Sequence, residues 1–177
     1  TMARWKIKNV GMKGVSMAVP ENVVKTSDFD FFSQEEAEVF DNTVGIRRRH
    51  IAPDNMCASD MCQAAAEKLL EELGWERDSI DVLLFESVTG DYRTPPTSCI
   101  LQDRLALSEN CFCMDIPMGC CGCMYAITVA GNLLTTGNVK RALLLIGDTA
   151  LRMGSMKDKS RVPLLSLIHI SEPTRPY

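Results

Sequence analysis

The chain has 177 residues, 46% hydrophobic, 24% charged and 6% aromatic, a balance that excludes a disordered, collagen-like or coiled-coil protein. Its 19 Lys and Arg against 23 Asp and Glu give a net charge of −4, and Arg47, Arg48 and Arg49 form the one basic cluster, so no nucleic-acid partner is expected. No apolar run nears the roughly 20 residues of a membrane helix and the N-terminus lacks the apolar core of a signal peptide, which points to a cytoplasmic protein with no membrane association.

In chain order, residues 5–19 hold β-branched and apolar positions broken by Gly11 and Gly14, and predict an opening strand and turn before Pro20. Residues 33–40 predict a short acidic helix, followed by Gly45 and a loop or short extended segment over residues 46–51. Met61, Ala65, Leu69, Leu70 and Leu73 recur at helical spacing over residues 59–73, with Gly74 as a C-terminal stop. The run at residues 80–88 is too short for a helix and suits a parallel strand buried on both faces. Pro95 and Pro96 open another helix that reaches about residue 107, residues 111–116 predict a second buried strand, residues 121–136 a long helix ending at Gly137, and residues 142–147 a third strand. This βαβαβ order predicts an α/β fold with three parallel strands and ligand chemistry at their carboxyl ends.

Eight cysteines without a secretory signal argue for reduced thiols, and five of them lie between positions 111 and 123. The segment Asp115-Ile116-Pro117-Met118-Gly119-Cys120-Cys121-Gly122-Cys123 reads as strand, glycine-flanked turn and helix start. A cysteine there meets the positive end of the helix macrodipole and unpaired N–H groups, both of which favour thiolate. Cys120 is the best-placed nucleophile; Gly119 and Gly122 allow a tight turn and close substrate approach, and the Cys120 N–H is a candidate oxyanion donor. Plain core packing is an equal alternative for the cluster, since cysteine is among the most buried residue types. A metal site is not expected, because Cys111 and Cys113 lie on a buried strand and there is no separated pair of CxxC knuckles.

The stretch DIPMGCCGCMYAITVAGNLLTTGNVKRALLLIGDT at residues 115–149 resembles the nucleophile segment of beta-ketoacyl-acyl-carrier-protein synthase III, a condensing enzyme of the thiolase superfamily. The shared pattern is an Asp, small or apolar residues, the acyl-accepting Cys, a small residue, Gly, a bulky residue and Tyr-Ala. VPENVV at 19–24, VGIRRRHIA at 44–52, GDYRTPPTSCILQDRL at 90–105 and KDKS at 157–160 match in the same order.

The resemblance implies a thiolase-like α/β fold with a mixed sheet around the βαβαβ core, truncated to its N-terminal half. It implies a ping-pong reaction in which an acyl group moves from acyl-CoA to Cys120 and is then condensed with a malonyl acyl carrier protein. No tightly bound cofactor is implied, and the family dimerises. Its histidine and asparagine donors belong to a second half that this sequence lacks; His50 matches a non-catalytic position. The fragment alone is therefore expected to be inactive, with an exposed apolar face near the nucleophile helix, and a third reading is a non-functional, unstable fragment.

Some positions depart from the family pattern. Its adenine-stacking Trp aligns with Val39, a nearby Arg with Thr43, and the Phe that shapes the acyl pocket with Thr94, while Arg152 matches a coenzyme-groove arginine across a one-residue gap. Glu86 loosely matches the catalytic glutamate of hydroxymethylglutaryl-CoA synthases, and a general acid there would mark a sister thiolase-fold acyltransferase. Arg47 to Arg49 could attract an acidic carrier or coenzyme phosphates, or form a solvated turn. Residues 165–175, LSLIHISEPTR, resemble a translated sequencing adapter, which leaves residues 1–164 as the condensing-enzyme domain, residues 165–177 as a non-native tail and His169 without a role. The competing reading of the tail is an edge strand.

Overall fold

A computed structural model describes residues 6–153 of the chain. The KDKS segment, the domain end near residue 164, the tail at 165–177 and His169 lie outside the described residues.

The first elements form a small antiparallel pair. Strand β1 (Val23–Lys25) pairs with β2 (Arg48–His50), Val24 opposite Arg49, and between them lies helix α1 (Gln34–Val44). Ser33 caps α1 reciprocally with Glu36, and Gly45 at φ 81 ends it. The helix outlasts the expected residues 33–40 because Asp41, Asn42 and Thr43 continue it up to the glycine. Thr43 returns its hydroxyl to the Val39 carbonyl at 2.7 Å.

The rest is a three-stranded parallel sheet in the order β4-β3-β5, formed by β3 (Val82–Glu86), β4 (Phe112–Ile116) and β5 (Ala142–Ile146). Helices α2 (Ala58–Leu73), α3 (Thr97–Arg104) and α4 (Gly122–Leu133) complete it. The chain steps one way from β3 to β4 and then back past β3 to β5, so right-handed crossovers must put α3 and α4 on opposite faces. They do. Leu83 and Phe85 pack with Ala58, Cys62, Ala66 and Leu70 of α2 and Leu101 of α3, whereas Val82 and Leu84 pack with Ala126 and Ala130 of α4. All five residues of β3 are buried, as the continuous apolar run requires.

Other expected boundaries differ as well: α4 stops at Leu133, short of 136, where Thr135 and Thr136 N–H groups close tighter turns onto Asn132 O and Leu133 O. Residues 6–22 form no strand; Asn9 takes a left-handed φ of 60, which breaks an extended run, and residues 11–15 are exposed. Helix α3 starts two residues after Pro95 and stops at Arg104, short of 107. Its end is a Schellman turn, with Leu107 N–H donating to Gln102 O at 3.0 Å and Ala106 N–H to Asp103 O at 2.9 Å. Ala106, at φ 49, holds the left-handed position that Gly74 holds after α2, so no glycine in the sequence marks this stop.

Candidate active site

The carboxyl tips of the three parallel strands converge on one edge. After β5, Asp148 reaches across to the turn after β3, where its Oδ1 accepts from Ser87 Oγ at 2.8 Å, Val88 N at 2.7 Å, and Thr89 N and Oγ1 at 3.2 Å. The Thr149 N–H returns to Thr89 Oγ1 at 2.8 Å. From β4, Asp115 caps α3: its two oxygens accept from Thr97 N and Ser98 N, both at 2.7 Å. Further out, Ser59 Oγ donates to Asp91 at 2.5 Å and receives Arg104 Nη1 at 2.9 Å. These carboxylates fix the loops around the third tip, which carries the cysteines.

Beyond β4 the chain makes a hydrogen-bonded turn, Gly122 N–H to Gly119 O at 2.6 Å, and enters α4. Cys120 is exposed on that turn. Cys121 is the N-terminal flanking residue of α4 and gives no side-chain cap, and the first turn contains no acidic residue. Among the described residues no carboxylate caps the first N–H groups of α4, although the Glu86 carboxyl packs beside Gly122 at this end.

The remaining thiols separate by burial. Cys62 is pushed up to about 12 by burial first and by Asp148, Asp91 and Glu86 after it. Burial likewise raises Cys113 to about 12, and raises Cys57, Cys111 and Cys123. Cys99, Cys120 and Cys121 are the exposed ones, and of these Cys120 and Cys121 stand at a strand tip. Core packing thus accounts for part of the cluster and not for Cys120.

The two glycines play unequal parts. At Gly119 a methyl group would meet Val88 Cγ1 at an ordinary 3.9 Å, whereas at Gly122 it would lie 2.5 Å from Glu86 Cδ and overlap Oε1. At Gly122 the Glu86 carboxyl occupies the space a side chain would need. Glu86, at the tip of β3, is 3% exposed. Its Oε1 is buried and has no hydrogen-bond partner. Burial pushes this carboxyl up to about 7, with the Asp148 charge adding to the effect.

Arg152 lies in a short 3₁₀ turn (Ala150–Met153), exposed, and its guanidinium donates to the Pro53 carbonyl on the loop after β2. The arginine cluster divides: Arg47 and Arg48 are exposed, but Arg49 is buried, donates to Thr26 Oγ1 at 3.1 Å and lies over the Phe40 ring. Its guanidinium is structural, so the cluster offers two surface charges and not three. His50 Nδ1 bonds the Pro20 carbonyl at 2.6 Å, away from the cysteines. Val39 and Thr94 are exposed side chains.

Sequence reasoning assigned no role to Asp148, to the cap made by Asp115 or to the Glu86–Gly122 contact. A signal existed for the first two, since each carboxylate stands at or just beyond the end of a strand where loop N–H groups gather; β4 itself is not the buried strand expected, for Phe112 is exposed and only Ile116 of its five residues is buried. Among the described residues no group of three or more His, Cys, Asp or Glu side chains is arranged to hold a metal ion. No helix there is long and apolar enough to cross a membrane.

The family model of 3-oxoacyl-(acyl-carrier-protein) synthase III matches residues 114–166, the stretch that contains the turn. The chain is similar to the N-terminal half of such synthases. The beta-ketoacyl-(acyl-carrier-protein) synthase III of Geobacillus kaustophilus is 32% identical over 154 residues, 87% of this chain and 49% of the relative. That of Clostridium perfringens is 31% identical over 153 residues, 86% of this chain and 47% of the relative. A crystal structure of the 3-oxoacyl-(acyl-carrier-protein) synthase from Burkholderia xenovorans superposes with a TM-score of 0.76 at 38% identity, covering 84% of this chain and 44% of that one. The fold is thiolase-like, and the chain spans about half the length of the curated relatives it matches.

Proposed function

We propose that this chain is the nucleophile-bearing half of a condensing acyltransferase of the 3-oxoacyl-(acyl-carrier-protein) synthase III type. The observation that carries the reading is the exposed Cys120 on a strand-tip turn, ahead of a helix start that no carboxylate caps. In the first half-reaction the Cys120 sulfur attacks the carbonyl carbon of an acyl-CoA, N–H groups of the turn meet the developing oxyanion, and the coenzyme thiol leaves with a proton. In the second, a malonyl acyl carrier protein loses carbon dioxide and its carbanion displaces Cys120 from the thioester.

This assignment requires no resident cofactor or metal. Acyl-CoA is a substrate, the acyl carrier protein a partner, and the whole protein a cytoplasmic homodimer. The second step needs donors to the enolate oxygen, and among the described residues the one histidine, His50, is tied to Pro20. The resemblance assigns those donors to a histidine and an asparagine of the other half, so the 177-residue chain alone is expected to lack turnover. The outward side of α4 carries Met124 at 64% and Tyr125 at 56% exposure, the apolar surface such a half would leave uncovered. Arg152 remains a candidate for the coenzyme only at the rim, held by Pro53.

The general-acid reading of Glu86, which would define a sister thiolase-fold enzyme, receives less support. Its carboxyl is enclosed beneath Gly122, and a proton donor must reach its substrate within hydrogen-bond distance. The test is the whole gene product incubated with acyl-CoA and malonyl acyl carrier protein. Formation of 3-oxoacyl product that is abolished in Cys120→Ala supports the proposal; product formation that survives this change overturns it.

A further inference from the structure

We propose that Glu86 is a positioning residue whose protonation state controls the Gly119–Gly122 turn and, through it, the reactivity of Cys120. The inference rests on Cys120 as the reactive thiol. The Glu86 carboxyl fills the volume beside Gly122 Cα, two residues from Cys120.

The neutral carboxyl fits that place, being packed on backbone and shielded from water. An ionised one does not, because Oε1 has no hydrogen-bond partner and a buried charge without partners is strongly disfavoured. The titratable neighbours offer it no relief. Asp148, beyond β5, repels it; Cys123 on α4 and Cys62 on α2 are thiols whose own ionisation Glu86 opposes. On β4 its register neighbour is Ile116, and on β5 Ile146, neither of which can donate from its side chain. Ionisation therefore obliges the carboxylate to draw the first turn of α4 toward it or to swing out toward water.

The first movement shifts Gly122 and the second empties the space that supports it, and the turn hydrogen bond from Gly122 N–H to Gly119 O carries the change to Cys120. The new negative charge also opposes a thiolate at the same helix start, so geometry and electrostatics act with one sign. Burial places the transition near neutrality, at about 7. Glu86 in this role donates no proton to substrate.

The test is iodoacetamide alkylation of the 177-residue chain across the pH range, with the modified cysteine mapped by peptide mass, for the wild type and for Glu86→Gln. The ratio of the Glu86→Gln rate to the wild-type rate at Cys120 is expected to be constant below about pH 6 and to rise at least about threefold by about pH 8.5. A ratio that stays flat over that range, with the label on Cys120, overturns the role of Glu86 and leaves Cys120 as nucleophile. A label found chiefly on Cys121 or Cys123 overturns both. Should Glu86→Gln fail to fold, the wild-type profile decides: two ionisations support the inference, and a single-ionisation curve contradicts it.

Discussion

Helices α3 and α4 both begin just beyond a strand tip, and their first turns are treated in opposite ways. At α3, Asp115 accepts from Thr97 N and Ser98 N, so the end is saturated by a carboxylate of the same sheet. At α4 the flanking residue is Cys121, which provides no cap, the turn ahead of it exposes Cys120, and the nearest carboxyl, Glu86, sits below Gly122 with an oxygen unpartnered. The first arrangement spends the helix terminus on stability. The second leaves it without a side-chain cap and packs a carboxyl against a glycine.

Breaking that constraint has the largest expected effect. Gly122→Ala drives a methyl group into the Glu86 carboxyl and should destabilise the fold by about 1–3 kcal/mol in urea unfolding, as overpacking does. Adding Glu86→Ala should restore part of the loss, whereas independent, additive effects would show that the two groups do not collide. Uncapping the other helix comes next. Asp115→Ala leaves two N–H groups without their carboxylate and should cost about 1.5–3 kcal/mol, with faster amide exchange at Thr97 and Ser98 and little change at α4.

Glu86→Gln sharpens the contrast through pH. The folded chain holds the Glu86 proton up to about 7, above the carboxyl value of an unfolded chain, so stability falls as pH rises through that window. Thermal melting of the wild type should drop between about pH 5 and about pH 8, and Glu86→Gln should flatten the drop. An unchanged slope would mean that other groups control it. The smallest effect belongs to the far end of α3, where Ala106→Gly relieves a left-handed residue and should add about 0.5 kcal/mol in the same unfolding assay.

Much of this was legible in the residues. The spacing of Met61, Ala65, Leu69 and Leu73 predicts α2 to within one residue, and the apolar run from Ile80 predicts the doubly buried β3, because period and continuity are local properties. The position of Cys120 also followed from local grammar: strand, glycine, cysteine, helix. The opening strand did not form, since a strand needs a partner edge and Asn9 interrupts the extended run. Arg49 is buried because Thr26 and Phe40 receive it from elsewhere in the chain, a long-range fact that three consecutive arginines do not disclose. The Glu86–Gly122 packing is of the same kind, joining residues 36 positions apart across the end of the sheet.

Whether Cys120 is the reactive thiol is measured most directly by competitive alkylation of all eight cysteines at limiting reagent with isotope-coded peptide mapping. Cys120 should react first, the other exposed thiols Cys99 and Cys121 more slowly, and the five thiols raised by burial last. Cys99 reacting as fast as Cys120 would mean that the helix start confers nothing, and would contradict the account.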